Sequence, residues 1–200
     1  MVTVQGLDWQ RKKWGPFARQ VLRLGEKAAV RLPNKTMVVS QTLQSYYRNQ
    51  YGAETIYIPN GAPLLDARPI DQIRNWGIER GKYILFLGRF SPEKNCHLLI
   101  EAFEGLNTKV KLVLAGGASP SDEYGRELRR HAGQQIHFLD YVSGTPLEEL
   151  LSNAMIFVLP SDMEGLSLAL LEAMGTGLCV LASDIPENRE LVEGAGFLFK

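Results

Sequence analysis

Met155-Ile-Phe-Val-Leu159, then Ser161-Asp-Met-Glu-Gly-Leu-Ser-Leu-Ala-Leu-Leu-Glu-Ala-Met-Gly-Thr-Gly177, then Leu178-Cys-Val-Leu181 follow one another in this 200-residue chain, and their reading decides the fold. The first and last are apolar runs of strand length, bounded by proline and glycine, and read as buried strands. The middle is then a short helix joining parallel strands, with Ser167 as N-cap and Gly175 as the C′ residue. In an open sheet of this kind a ligand sits beyond the carboxyl ends of the strands, where a helix start offers unpaired N–H groups and partial positive charge. Gly165 at that start lets the backbone approach an anion. Glu164 precedes the helix and Glu172 lies inside it, eight positions on. Eight residues of helix span about 12 Å at ~1.5 Å each, the reach between two hydroxyl-rich groups joined by a diphosphate. Carboxylates suit paired hydroxyls because each oxygen accepts hydrogen bonds; two glutamates on one helix equally describe a solvated face.

The same alternation continues outward. Tyr83-Ile-Leu-Phe-Leu87, Lys111-Leu-Val-Leu-Ala115, Gln135-Ile-His-Phe-Leu139 and Phe197-Leu-Phe199 are further near-continuous apolar runs, the signature of a parallel sheet covered on both faces. Between them, helices are expected from the end of Gly88-Arg-Phe-Ser-Pro-Glu-Lys-Asn95 to about Phe103, from Asp122 to about His131, from a capping box Thr145-Pro-Leu-Glu148 with Pro146 at N1, and from near Pro186. A doubly wound sheet of about six strands is the consistent reading. Toward the N-terminus, Val2-Thr-Val4, a helix from Pro16 to about Leu32, Thr36-Met-Val-Val39, a helix Gln41 to Tyr51 closed by Gly52, and Thr55-Ile-Tyr-Ile58 make a smaller β-α-β-α-β set. The turn-rich Pro59 to Pro63 separates the two. The expected division is 1–62 for a partial domain, 63–81 for a linker with one short helix, and 82–200 for the ligand-binding domain, which stops at a strand without a closing helix.

Composition narrows the function classes. The chain is 45% hydrophobic with formal net charge zero, a soluble globular profile. It has no apolar run near the ~20 residues of a membrane helix, nor the n- and h-regions of a signal peptide, so a cytoplasmic location is expected. Residues 1–60 nevertheless carry nine Lys and Arg against three Asp and Glu, and residues 61–200 carry thirteen against nineteen. Arg11-Lys12-Lys13-Trp14, with Trp9 nearby, is the densest basic and aromatic patch, suited to an anionic membrane surface, to nucleic acid or to plain solvent. Cys96 and Cys179 have neither metal-ligand nor disulfide spacing and are expected to pack as small apolar residues. His97, His131 and His137 fall on a helix start, a helix end and a strand, so a zinc site is not expected, and no Asp-x-Asp pair offers to hold a divalent ion. No Gly-x-Gly-x-x-Gly, Walker A or Gly-x-Ser-x-Gly sequence occurs, which removes the main support for dehydrogenase, P-loop and serine-hydrolase readings.

Arg89 and Lys94 lie directly after the first strand of the larger domain, at its ligand-facing end. Arg as a bidentate fork and Lys as a point charge suit a diphosphate; the alternative is a surface loop with two solvated charges. Gly116-Gly117 after the next strand gives a second loop of close approach.

Gly88-Arg-Phe-Ser-Pro-Glu-Lys-Asn95, then Leu114-Ala-Gly-Gly117, then Pro160-Ser-x-x-Glu-Gly-Leu-Ser-Leu-Ala-Leu-Leu-Glu-Ala-Met-Gly175 together resemble the retaining glycosyltransferases of family four, which have the GT-B fold. Glu164 and Glu172 match that family's Glu-x7-Glu motif. The resemblance covers about residues 80–200; residues 1–60, with Gly6-Leu-Asp-Trp-Gln-Arg-Lys-Lys-Trp14, resemble the end of the acceptor-side domain of bacterial members that build surface polysaccharides. It implies an α/β fold of GT-B type: a doubly wound, Rossmann-like parallel sheet with a partial second α/β domain.

The resemblance also implies site residues. Arg89 and Lys94 would bind the donor diphosphate and offset charge on the departing nucleotide, Glu164 would face the donor sugar, and Glu172 would hold the ribose hydroxyls. Backbone N–H groups of Gly165, Leu166 and Ser167 would meet the phosphates, Gly88 and Gly116 would line the donor site, and Tyr141 and Val142 would lie near the base. Arg89, Lys94 and Glu164 are thus the candidate catalytic residues, acting through leaving-group stabilisation and positioning. No metal and no cofactor beyond a nucleotide-sugar substrate are implied. The partners would be that donor and a glycan or lipid-linked acceptor, with peripheral contact at the inner membrane face through the basic N-terminal part and no nucleic acid. Gln5 stands where many relatives carry a histidine that reaches the donor sugar. The remaining alternatives are a nucleotide-sugar-binding module without activity and a GT-B epimerase or phosphorylase.

Overall fold

The computed structural model describes residues 1–11, 13–118 and 122–200. Two parallel sheets organise them. In the smaller, β1 (Val2–Val4), β2 (Thr36–Val38) and β3 (Ile56–Tyr57) lie in that order, joined by α1 (Pro16–Arg31) and α2 (Gln41–Tyr51). The larger contains β4 (Tyr83–Leu87), β5 (Lys111–Ala115), β6 (Ile136–Leu139), β7 (Ile156–Leu159), β8 (Val180–Ser183) and β9 (Phe197–Phe199). Its spatial order is β6-β5-β4-β7-β8-β9. The crossovers are α3 (Cys96–Glu104), α4 (Glu123–Arg129), α5 (Thr145–Asn153), α6 (Leu168–Gly175) and α7 (Pro186–Val192).

The chain winds outward from β4 in both directions, through β5 and β6 on one side and β7 to β9 on the other. Strand order therefore reverses at β4, and the loops leaving the carboxyl ends of β4 and β7 are neighbours beside a crevice, the usual ligand position in open α/β sheets. The apolar runs explain why the sheet forms: Leu85, Phe86, Leu112, Leu114 and Phe157 are completely buried. Removing such surface from water contributes about 25 cal/mol per Å². Two buried polar groups of this core find partners: the Tyr83 hydroxyl donates to the Leu150 carbonyl (2.6 Å). The buried Glu149 carboxylate accepts from the backbone N–H groups of Asp71, Gln72 and Ile73, tying the single-turn helix Gln72–Trp76 to α5.

Local readings hold at most boundaries and fail at three. Ser167 caps α6, accepting from the Leu170 N–H, but Gly175 is the last helical residue, not the residue beyond it, and Gly177 (φ +71°) takes the left-handed turn. Gly175 is small for another reason: a Cβ there would press on the Pro63 carbonyl oxygen. The capping box at Thr145 does not form, because the chain enters α5 from Gly144 with φ +63°, leaving Thr145 as the first helical residue and Pro146 as the second. Third, residues 164–167 are not helical, so the spacing of Glu164 and Glu172 is not a run of eight helical rises. Cys96 is buried as expected, whereas Cys179, just ahead of β8, is exposed.

The two sheets are joined by specific contacts. Leu166 leaves the larger unit to pack with Val38, Val39, Leu43 and Tyr47 of the smaller. The Glu190 carboxylate of α7 accepts from the N–H groups of Gln41 (2.8 Å) and Thr42 (3.2 Å) at the start of α2 and from the Tyr57 hydroxyl (3.3 Å). That is a helix cap supplied from another unit, favoured by the partial positive charge of the α2 start.

Candidate functional site: a cleft between the two sheets

The loops after β4 and β7 are stitched together. Asn95, the single non-glycine residue with positive φ among those described (φ +50°), is buried, and its side-chain amide donates to the Pro160 carbonyl (3.1 Å) and to Asp162 Oδ1 (2.5 Å). Asparagine is among the few residues that tolerate this conformation. The Asp162 N–H donates back to the Glu93 carbonyl (2.9 Å). The Ser161 carbonyl accepts from the Ser183 hydroxyl, which is itself held by the Asn188 amide (3.0 Å). With the backbones fixed, Lys94 Nζ meets Glu164 Oε1 at 2.5 Å in an ion pair whose side chains retain only 15% and 9% of their exposure.

Lys94 and Glu164 border a recess of about 50 Å³ that is also lined by Arg89, Glu93, Met163 and Gly165 from the larger unit, and by Gly6, Leu7 and Arg11 from the smaller. Arg89 is exposed, and its side chain makes no ion pair or hydrogen bond among the described residues. Gly165 passes so close to the smaller unit that any Cβ would run into the Gln5 carbonyl oxygen. Among the described residues, the backbone N–H groups of Gly165, Leu166 and Ser167 have no partner, and α6 begins immediately after them. Unpaired N–H groups at a helix start and two cations on the facing loop can hold an anion of two or more charges. Excess negative charge lies just behind: burial first, and then the carboxylates of Glu164 and Glu190, push the Glu187 carboxyl above its ordinary range.

Glu172 sits one turn into α6, half-buried, with no side-chain partner among the described residues, and burial pushes its carboxyl upward. An unpaired, partly desolvated carboxylate is ready to accept hydrogen bonds from a ligand. Gly88 and Gly116 meet at the strand ends: the Gly88 N–H donates to the Ala115 carbonyl (3.0 Å), and Gly116 (φ +139°) leaves no space for a side chain beside the Gly88 carbonyl. Tyr141 is exposed at the end of β6 with its ring against Gly117, and Val142 is half-buried against the core. These four lie along the same carboxyl edge but outside the recess lined by Arg89, Lys94 and Glu164.

The structure thus brings Arg89, Lys94, Glu164 and Gly165 together. Leu166 contributes backbone only, since its side chain belongs to the core of the smaller unit, and the Ser167 hydroxyl is occupied as a cap. Gln5 is exposed, its side-chain oxygen accepting from the Asn60 amide (3.2 Å). Of the basic patch, Arg11 turns into the cleft, Lys13 lies over the Trp14 ring (4.5 Å to its centroid), and Lys12 falls outside the described residues. His97 pairs with the Tyr124 hydroxyl, His131 with Glu104 and His137 with the Gln134 carbonyl, and no metal-ligating cluster occurs among the described residues. Three residues of the site lack a signal in the linear sequence. Asn95 acts through a backbone conformation, Arg11 reads as part of a surface charge run, and Glu93 reads as an ordinary loop charge although it is 4% exposed.

Comparison with known proteins bears on the family and the fold. Residues 70–200 match the family described as glycosyl transferases group 1. Among similar proteins, O-antigen chain mannosyltransferase B of Escherichia coli is 32% identical over 122 residues, covering 58% of this chain and 32% of the relative. Alpha-maltose-1-phosphate synthase of Mycobacterium tuberculosis is 28% identical over 207 residues, covering 92% of this chain and 52% of the relative. The chain therefore spans between a third and about half the length of these relatives. Anabaena HepE, solved in complex with UDP and glucose, superposes with a TM-score of 0.80 at 25% identity, over 90% of this chain and 53% of HepE. The parallel α/β architecture is that of the GT-B glycosyltransferases, and the chain belongs to the glycosyl transferases group 1 family.

Proposed function

We propose that this chain carries the donor-binding part of a hexosyltransferase that moves a sugar from a nucleotide-sugar to a glycan or glycolipid acceptor with retention of configuration, in the synthesis of a cell-surface polysaccharide. The observation that carries the reading is the meeting of Arg89, the Lys94–Glu164 pair and the unpaired N–H groups of residues 165–167 in one cleft between the sheets. The diphosphate lies against those N–H groups and the two cations, which stabilise negative charge as the nucleotide departs. Glu164, already paired through Oε1, keeps Oε2 for a hydroxyl of the transferred sugar, and Glu172 takes the ribose hydroxyls. Tyr141 and Val142 border the base. The positive balance of residues 1–60 favours work beside an anionic membrane surface on its cytoplasmic side.

Calorimetric titration of the full-length protein with UDP, GDP and their glucose and mannose conjugates, paired with a transfer assay, tests the reading. At least one nucleotide binds, and Lys94→Ala lowers transfer by about 10²- to 10³-fold, the usual loss when one charge-stabilising donor is removed. A folded protein that binds none of these ligands defeats it; binding without transfer favours a binding module.

A further inference from the structure

Two charged side chains from opposite units line the cleft, and one of them keeps an atom without a partner. Glu93 is 4% exposed, and its Oε2 is buried without a hydrogen-bond partner. Arg11, from the loop after β1, lines the same recess, and its Nε is ion-paired to Asp8 Oδ1 at 2.7 Å, which leaves the other guanidinium N–H groups for a ligand. Buried polar groups are rarely left unpaired, because each costs about 1–3 kcal/mol. Both residues line the recess of about 50 Å³ beside the Lys94–Glu164 pair. At about 10–15 Å³ per water-sized group, the recess takes a hydroxyl-bearing edge and not a whole sugar ring.

One small group suits both side chains: a hydroxyl, which donates to a carboxylate and accepts from a guanidinium. We propose that Arg11 and Glu93 form a specificity subsite for a single sugar hydroxyl, read jointly by the two units. This rests on the donor-site reading above. The subsite is distinct from Glu164 and Glu172, and Asp8 holds the Arg11 fork in place. Arg89 and Lys94 answer the phosphates, whereas this pair answers the sugar, so it selects among sugars without altering affinity for the bare nucleotide. The hydroxyl belongs either to the transferred sugar or to the acceptor.

The test uses Glu93→Gln and Arg11→Met in the full-length protein, with UDP against UDP-glucose, or GDP against GDP-mannose if that pair binds the unaltered protein. A donor hydroxyl predicts that each variant weakens the nucleotide-sugar by about tenfold, one lost charged hydrogen bond, while bare nucleotide changes by less than about twofold. A deoxy-sugar donor lacking the recognised hydroxyl then loses affinity in the unaltered protein and loses nothing further in Glu93→Gln, a non-additivity that mere loosening of the fold does not produce. An acceptor hydroxyl instead leaves the donor ratio unchanged and raises the acceptor KM about tenfold at constant kcat. Equal weakening of nucleotide, nucleotide-sugar and acceptor overturns the subsite, as does no change in any of them. If Glu93→Gln does not fold, Arg11→Met, on a partly exposed loop, decides alone. Failure of the unaltered protein to bind any nucleotide defeats the donor-site reading itself, and the subsite with it.

Discussion

The larger unit is held by an apolar core, the smaller by polar contacts and a borrowed side chain. Six strands bury Leu85, Phe86, Leu112, Leu114, Phe157 and their neighbours. Three short strands in the smaller unit assemble only Val38, Val39, Leu43 and Tyr47, completed by Leu166 from across the cleft. Its second anchor is the buried Glu26 carboxylate, which accepts from the Trp9 indole N–H (2.5 Å) and from the hydroxyls of Tyr46 (2.8 Å) and Tyr51 (2.6 Å). Burial first, and then Glu26 itself, push both of those phenols far above their ordinary range, so they remain donors at any physiological pH. A sheet this small cannot exclude enough water alone. The difference places the dependence: order in the smaller unit runs through residues 164–167, the segment that also forms the candidate donor site.

Leu166→Ala breaks this relation most severely. It removes a buried side chain from the smaller core, at a cost of about 2–5 kcal/mol for such a truncation. Hydrogen exchange should show α2 and β2 losing protection while β4 and β5 keep theirs. Equal loss in β4 and β5 would mean that the two sheets open as one cooperative body and that the contrast drawn above is wrong.

Glu190→Ala acts on the same junction more mildly. It leaves the N–H groups of Gln41 and Thr42 at the start of α2 without their carboxylate cap, which costs about 1–3 kcal/mol. The loss should appear as faster exchange in the first turn of α2 and a lower melting temperature, partly recovered by Glu190→Gln, whose amide oxygen still accepts. If the alanine variant melts with the parent, the units are held by Leu166 with Leu171 and Leu191 beside it and by the Gly165–Gln5 contact, without help from the cap.

The same contrast governs what the sequence discloses. Strands of the larger unit are legible because burial on both faces forces continuous apolar runs, as in Tyr83–Leu87 and Lys111–Ala115, and the glycines and cations at their ends mark the ligand edge. Arg89, Lys94 and Glu164 therefore stand out on residue type and spacing. The contacts between units do not, because they depend on sites far apart in the chain. Leu166 reads as one more apolar residue of a helix start, Glu190 as surface charge, and Glu26 as a solvated position on an amphipathic helix, although it is buried at the centre of a hydrogen-bonded cluster. Arg11 is misplaced for the same reason: a run of basic residues carries no information about which of them turns inward. At Thr145 the residue pattern matches a capping box, but the backbone entering from Gly144 assigns the cap one residue earlier.

The smallest expected effect concerns Glu172, whose carboxylate makes no ion pair or hydrogen bond among the described residues. Burial holds its carboxyl above the unfolded value, which is about 4.3 for glutamate. The sign follows from linkage: a raised folded pKa gives a contribution to stability that is fully present below the unfolded value and is lost as pH rises through the folded one. The unliganded protein should therefore lose some stability across that window relative to Glu172→Gln. Ribose hydroxyls donating to the carboxylate favour its charged form, so nucleotide binding should strengthen as pH rises through the same range, by at most about tenfold per pH unit for one proton. Melting temperature and UDP or GDP affinity measured from pH 4 to 7 in both proteins isolate the group from Glu187, whose carboxyl is also raised. Glu172→Gln should flatten both curves. Superimposable profiles would remove Glu172 from the ribose and leave the nucleotide held at its phosphate end, by Arg89, Lys94 and the start of α6.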